Sequence, residues 1–155
     1  MSHLNYSPVP TRIIQYLPNQ SSPPALSNNT DIVWDTTTKR TTGGDSVSIN
    51  ASTGVITLSS SRRYWLQASI QVDRASAGDF AFEWQDGSSN TLGVSDGAFS
   101  AIYLEDYTQP LVNSSLLASV MISNPSLTYK LVCTSVPTNS SLNENTELLI
   151  WEFER

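Results

Sequence analysis

The chain has 155 residues, the size of one domain, with a formal net charge of −6 and only 14% charged residues, against roughly 25% in typical globular proteins. That acidity argues against a protein that tracks nucleic-acid phosphates, whose electrostatic footprint is basic. No stretch approaches the ~20 apolar residues of a membrane-spanning helix, and a single cysteine, Cys133, excludes an internal disulfide.

The first segment, "MSHLNYSPVP", lacks the cationic region and apolar run of a secretion signal, so the expectation is synthesis in a reducing cytoplasm without export. The six Asn-x-Ser/Thr triplets, the first at Asn5, then follow from an Asn/Ser-rich composition and need no glycosylation. Residues up to about 30 are rich in Ser and Asn and carry Pro8, Pro10, Pro18, Pro23 and Pro24. Low hydrophobicity predicts a segment that does not fold alone, and the prolines favour extended backbone. Yet Ile13, Ile14, Tyr16 and Leu17 sit in its middle and call for burial. Residues 1–30 are therefore expected to form an extended arm whose four apolar side chains grip another protein. The alternative is an arm laid along its own subunit or a neighbouring copy.

From Asp31 onward the pattern has a period of two, the mark of half-buried antiparallel strands. Strands are expected at "IVWDT" (32–36), "SVSIN" (46–50) and "GVITLS" (54–59), then at "YWLQASIQV" (64–72). There Tyr64, Leu66, Ala68, Ile70 and Val72 share one face, and only Trp65 interrupts the polar one. "FAFEWQD" (80–86) places Phe80, Phe82 and Trp84 inward, and "FSAIYLE" (99–105), "SLLASVMIS" (115–123) and "LTYKLVCTS" (127–135) continue the pattern. Turn signals such as "NASTG", "QDGSSN" and "PTNSSLNEN" separate them. Many short strands without a 3.6-residue period indicate an all-β antiparallel jelly-roll sandwich over residues 31–155. The last strand, "ELLIWEF" (147–153), is apolar on both faces. One face then belongs to the core and the other either to a covering loop or to a subunit interface. On the second reading Leu148, Ile150 and Trp151 contribute to that interface.

Tools for chemistry are scarce. The sole histidine, His3, and the sole cysteine cannot supply a closed zinc site or a self-contained nucleophile–base pair. No phosphate-binding glycine motif is present, and "DGSSN" (86–90) lacks the ligands of a calcium loop. Glu83 with Asp86 or Asp106 could pair as acid and base, but scattered acids produce such pairs by accident. No enzyme activity, cofactor or metal is expected. Trp65, Tyr103 and Tyr107 are candidates for outward aromatic faces, suited equally to sugars or to a protein interface.

"SVSINASTGVITLSSSRRYWLQASIQV", with its Ile-x-Leu strand followed by aromatic-x-Leu-x-Ala, resembles the early hairpin of tumour-necrosis-factor-like jelly rolls, especially those on bacteriophage particles. "FAFEWQD", "NTLG" (90–93) and the terminal "ELLIWEF" are similar to that fold's middle strands and its last, axis-facing strand. The resemblance covers roughly residues 31–155 and implies a homotrimer around a threefold axis. With no signal or anchor evident, it implies the viral branch. The chain also has no heptads, repeats or shaft, as a fibre tip would need. The expectation is therefore a trimeric decoration or cement protein on the outside of a phage head, bound to the major capsid protein through the arm. The alternative is a receptor- or carbohydrate-binding head of a tail fibre or spike. Neither nucleic acid nor membrane is an expected partner.

Overall fold

The computed structural model of the chain describes residues 9–18, 24–41, 46–74, 76, 78–103, 114–123, 125 and 128–154. In chain order the strands are β1 (Arg12–Leu17), β2 (Ala25–Leu26), β3 (Thr30–Asp31), β4 (Asp35–Thr41), β5 (Val47–Ile49), β6 (Ile56–Leu58) and β7 (Arg63–Arg74). They continue with β8 (Phe80–Asp86), β9 (Ala98–Phe99), β10 (Ala101–Tyr103), β11 (Ser114–Ile122), β12 (Tyr129–Ser135), β13 (Ser140–Leu142) and β14 (Glu147–Phe153). A single 3-10 turn, Val94–Asp96, is the only helical element among the described residues. Every strand pairing among them is antiparallel, and the strands divide between an eight-stranded and a six-stranded sheet.

The long strand β7 organises the larger sheet. One flank carries β14 against Arg63–Ser69 and β13 against Val72–Arg74, while β11 runs along the other flank from Tyr64 to Val72. Beyond β14 come β1 and then β4, and beyond β11 comes the short β9. The smaller sheet runs β10-β8-β12-β6-β5, with β3 also paired to β12. Between the sheets lies one core that includes Trp34, Leu66, Ile70, Phe80, Phe82, Trp84, Leu131, Leu148 and Ile150, all essentially inaccessible. Burying side chains of this size stabilises the sandwich by about 1.5–3 kcal/mol each before entropy is counted.

The period-two reading locates the sandwich well, with local exceptions. Ile32 and Trp34 are buried as expected, but the strand begins only at Asp35, because the Ile32 N–H is drawn to the Leu131 carbonyl of the other sheet. "FSAIYLE" splits at Ser100 into β9 and β10, which belong to different sheets. Ser140–Leu142, inside an apparent turn, forms β13 because Leu142 reaches the core beside Val72. In the β5–β6 hairpin, Gly54 has φ 69 and lies so close to Ile32 that a Cβ would run into its carbonyl.

The expected boundary at residue 30 is corrected. Arg12–Leu17 and Ala25–Leu26 do not belong to a separate arm: β1 is an interior strand between β14 and β4, and β2 pairs with β13 in the same sheet. The physical reason is alternation inside "RIIQYL". Ile14 and Tyr16 point into the core with 0% and 1% exposure, which fastens the segment to its own chain.

Candidate functional site

The two sheets present opposite kinds of outer surface. On the six-stranded sheet, outward Glu83 accepts hydrogen bonds from Gln85 Nε2 and Thr91 Oγ1, each at 2.8 Å, and Lys130 Nζ lies 3.1 Å from Asp31. These polar groups satisfy one another and face water at little cost, while Ile102 on β10 is a single exposed apolar side chain beside them.

The eight-stranded sheet carries an apolar row on its outer face. Strand registers align Ile13 with Trp151, Trp151 with Trp65, and Trp65 with Met121, so one apolar row crosses four strands. At its centre the Trp65 and Trp151 rings meet edge to face, with centroids 4.1 Å apart and planes at 76°, the arrangement their quadrupoles favour. The next row reads Gln15, Leu149, Gln67, Ser119 and Phe99. Ile13, Phe99, Leu117 and Met121 are 46%, 56%, 54% and 61% exposed. At one end of the face a small groove of about 80 Å³ opens between Arg63, Tyr64, Met121, Ile122, Ser123 and Phe153. Isolated apolar side chains on a surface are ordinary, but a contiguous band of this kind marks an interaction surface.

Beside this face, on the inner side of β14, Glu152 is 2% exposed and accepts a hydrogen bond from Ser46 Oγ. Arg12 and Arg62 stand at 3.6 and 3.7 Å from its oxygens, and the Thr11 N–H donates to its backbone carbonyl at 2.8 Å. The buried carboxylate therefore ties the start of β1 to β14 and to the turn before β7. A buried charge is tolerable when it is paired in this way.

The residues singled out from sequence fall on both sides of the sheet. Ile13 and Leu17 look outward, whereas Ile14 and Tyr16 fill the core and cannot grip a foreign surface without unfolding β1. The terminal strand is two-sided as expected, but Leu148 and Ile150 are corrected to the core, each at 0% exposure. Trp151 lies on the outer face, joined by Leu149 and Phe153, which sequence reasoning missed. Their signal was present in Trp65, whose break in the polar face of β7 matches Trp151 across the register.

The remaining candidates are not brought together for chemistry. Glu83 and Asp86 occupy opposite faces of β8. Asp86 is taken up by its own turn, accepting from Asn90 Nδ2 at 2.8 Å, the Asn90 N–H at 3.0 Å and the Ser88 N–H at 2.8 Å. The Asn90 side chain, followed by its backbone N–H, holds the Asp86 carboxyl below its ordinary value of 3.8. Cys133 is buried, and desolvation pushes its thiol up to about 11, the opposite of an activated nucleophile. No cluster of metal-ligating side chains occurs among the described residues. His3, Asp106 and Tyr107, together with the side chain of Tyr103, lie outside the described residues.

No family model and no curated protein sequence matches this chain. Solved structures do. The crystal structure of murine APRIL at pH 5.0 superposes with a TM-score of 0.59 at 13% identity, covering 91% of this chain and 98% of that one. The pH 8.0 form of murine APRIL gives 0.58 at 11% identity, and the pH 8.5 form 0.57 at 12%, with the same coverage. The fold is accordingly a tumour-necrosis-factor-like jelly roll of two antiparallel sheets.

Proposed function

We propose that this protein is a non-enzymatic, homotrimeric structural protein that decorates the outside of a phage head, bound to its major capsid protein. The observation that carries the self-association is the apolar row Ile13–Trp151–Trp65–Met121, which crosses four strands of the eight-stranded sheet. Covering such a row removes apolar surface from water at about 25 cal/mol per Å², and a stable contact of standard size buries roughly 1,600 Å² in total. Glu83 and Asp86 stand on opposite faces of β8, and the Cys133 thiol is buried and pushed up to about 11, an arrangement that suits a structural role. The low-charge composition and the resemblance to phage jelly rolls favour a particle surface.

On this reading the capsid contact does not use Ile14 or Tyr16, which the sandwich needs for itself. The fastening belongs to surfaces other than the core-facing side of β1.

The mass in solution tests the assembly. The protein should run at about three times its chain mass of 17.0 kDa. Met121→Arg, placed on a side chain 61% exposed, should reduce it to a single chain mass with the β spectrum unchanged. A monomeric unsubstituted protein would remove the proposal. Microscopy of particles carrying a labelled copy tests the location: many copies over the head support decoration. A few copies at the tail, with glycan binding by the purified protein, would replace it with the receptor-binding reading.

A further inference from the structure

The chain has one cysteine and two methionines, and Met1 lies outside the described residues. The two remaining sulfur atoms stand in opposite settings. Cys133 is buried at 0% exposure, its Sγ is 3.6 Å from the Ser135 carbonyl, and burial pushes its thiol up to about 11. Peroxides react with the thiolate, so this sulfur is withdrawn from oxidation. A thioether has no proton to lose, and its reaction depends on access.

Met121 has that access. On the outer face of β11 it is 61% exposed, and it borders the groove of about 80 Å³ beside Arg63, Tyr64 and Phe153, room enough for a molecule the size of a peroxide. Its other flank is open for a reason built into the backbone. The turn before β9 brings Gly97, at φ 76, against β11, where the Gly97 carbonyl accepts from the Met121 N–H at 3.0 Å. That φ favours glycine, and a Cβ there would stand 3.6 Å from the Met121 Cβ. The glycine therefore leaves this side of Met121 without a covering side chain. Within the apolar row Met121 is paired in register with Trp65, so a change in its polarity falls on the surface assigned above to assembly.

We propose that Met121 is a redox-controlled modification site: a peroxide converts its thioether to the sulfoxide, and the oxidised chain is held out of the assembly until it is reduced. This rests on the trimer proposed above. The sulfur lone pair attacks one peroxide oxygen, the O–O bond breaks as the S–O bond forms, and the second oxygen leaves as water. In the reverse direction two thiols become a disulfide and carry the oxygen away as water. The sulfoxide is polar where the thioether was apolar. Closing the row over it strips that oxygen of water, which is unfavourable unless a donor takes its place, and each copy adds one such group. The assembled state covers the sulfur, so oxidation acts on the single chain.

Hydrogen peroxide added to the full chain tests this, with peptide mass spectrometry locating the added oxygen and light scattering giving the mass. Sulfoxide at Met121 should be confined to protein of a single chain mass with the β spectrum unchanged. A methionine sulfoxide reductase with a thiol should return it to about three times 17.0 kDa. Met121→Leu, a swap of similar volume, should stay trimeric at the same dose, which separates this thioether from Met1, Cys133 and the indoles. Four results overturn the site and leave the trimer standing: Met121 sulfoxide in protein of trimeric mass, Met121 still reduced at doses that oxidise Met1, a Leu variant dispersed as readily as the unsubstituted protein, or a reduced chain that does not reassemble. A monomeric mass before any peroxide removes the trimer and this inference together.

Discussion

Tyr16 occupies a place that a short proline-flanked segment would not ordinarily hold: it is 1% exposed between two sheets. Truncating it to Ala removes a large ring from a packed interior, which typically costs about 3–5 kcal/mol. Tyr16→Ala should lower the urea midpoint by a corresponding amount in the isolated protein, and a normal midpoint would mean that the ring is not part of the core. Asp86 allows a second test at this scale. Its folded-state pKa lies below 3.8 because Asn90 and Ser88 donate to the carboxylate. The stability it contributes is therefore fully present above the unfolded value and is lost as pH falls through the folded one. The difference in stability between the unsubstituted protein and Asp86→Asn should be greatest near neutrality and shrink below the ordinary carboxylate range. A difference that stays constant down to pH 2 would contradict the assignment.

At the scale of elements, β1 is the instructive case. It is flanked by Pro10 and Pro18 and surrounded by Ser and Asn, so its local composition argues against a strand. Its partners are remote in sequence: the Gln15 side chain donates to Glu147 at a separation of 132 residues. Removing residues 1–17 should expose the edge of β14 and the core beneath Ile14 and Tyr16. Gel filtration and a thermal melt of the truncated protein check this, and a stable, soluble truncation would deny β1 its place. The strands of the sandwich body were legible because alternation is local, as in β7 and β8, whose inward residues are those the period selects. What alternation does not encode is which face turns inward when both are apolar. In β14, Leu148 and Leu149 are chemically alike, and only pairing with Ala68 and Gln67 of β7 decides between them. The same limit hid β13, whose three residues count only beside β7.

For the whole molecule, the distribution of polarity matters more than its total. A net charge of −6 spread over a small sandwich does not describe a protein whose larger sheet carries one apolar row across four strands. Glu152, held by Arg12, Arg62 and Ser46 beneath that face, locks β1 to the sheet from within and so keeps Ile13 and Leu17 in line with the strands beside them. The Met121→Arg experiment reads this arrangement by burying a charge in the apolar row.

The interior position of β1 also governs when the protein is able to fold. Its neighbour on one side, β14, is synthesised 132 positions later by the Gln15–Glu147 measure. At translation rates of about 5–20 residues per second, Ile14 and Tyr16 are synthesised roughly 7 to 26 seconds before the strand that receives them. Through that interval the nascent chain carries two unburied aromatic and aliphatic side chains and an incomplete sheet. The sandwich therefore closes in a late step, dependent on β14 clearing the exit tunnel.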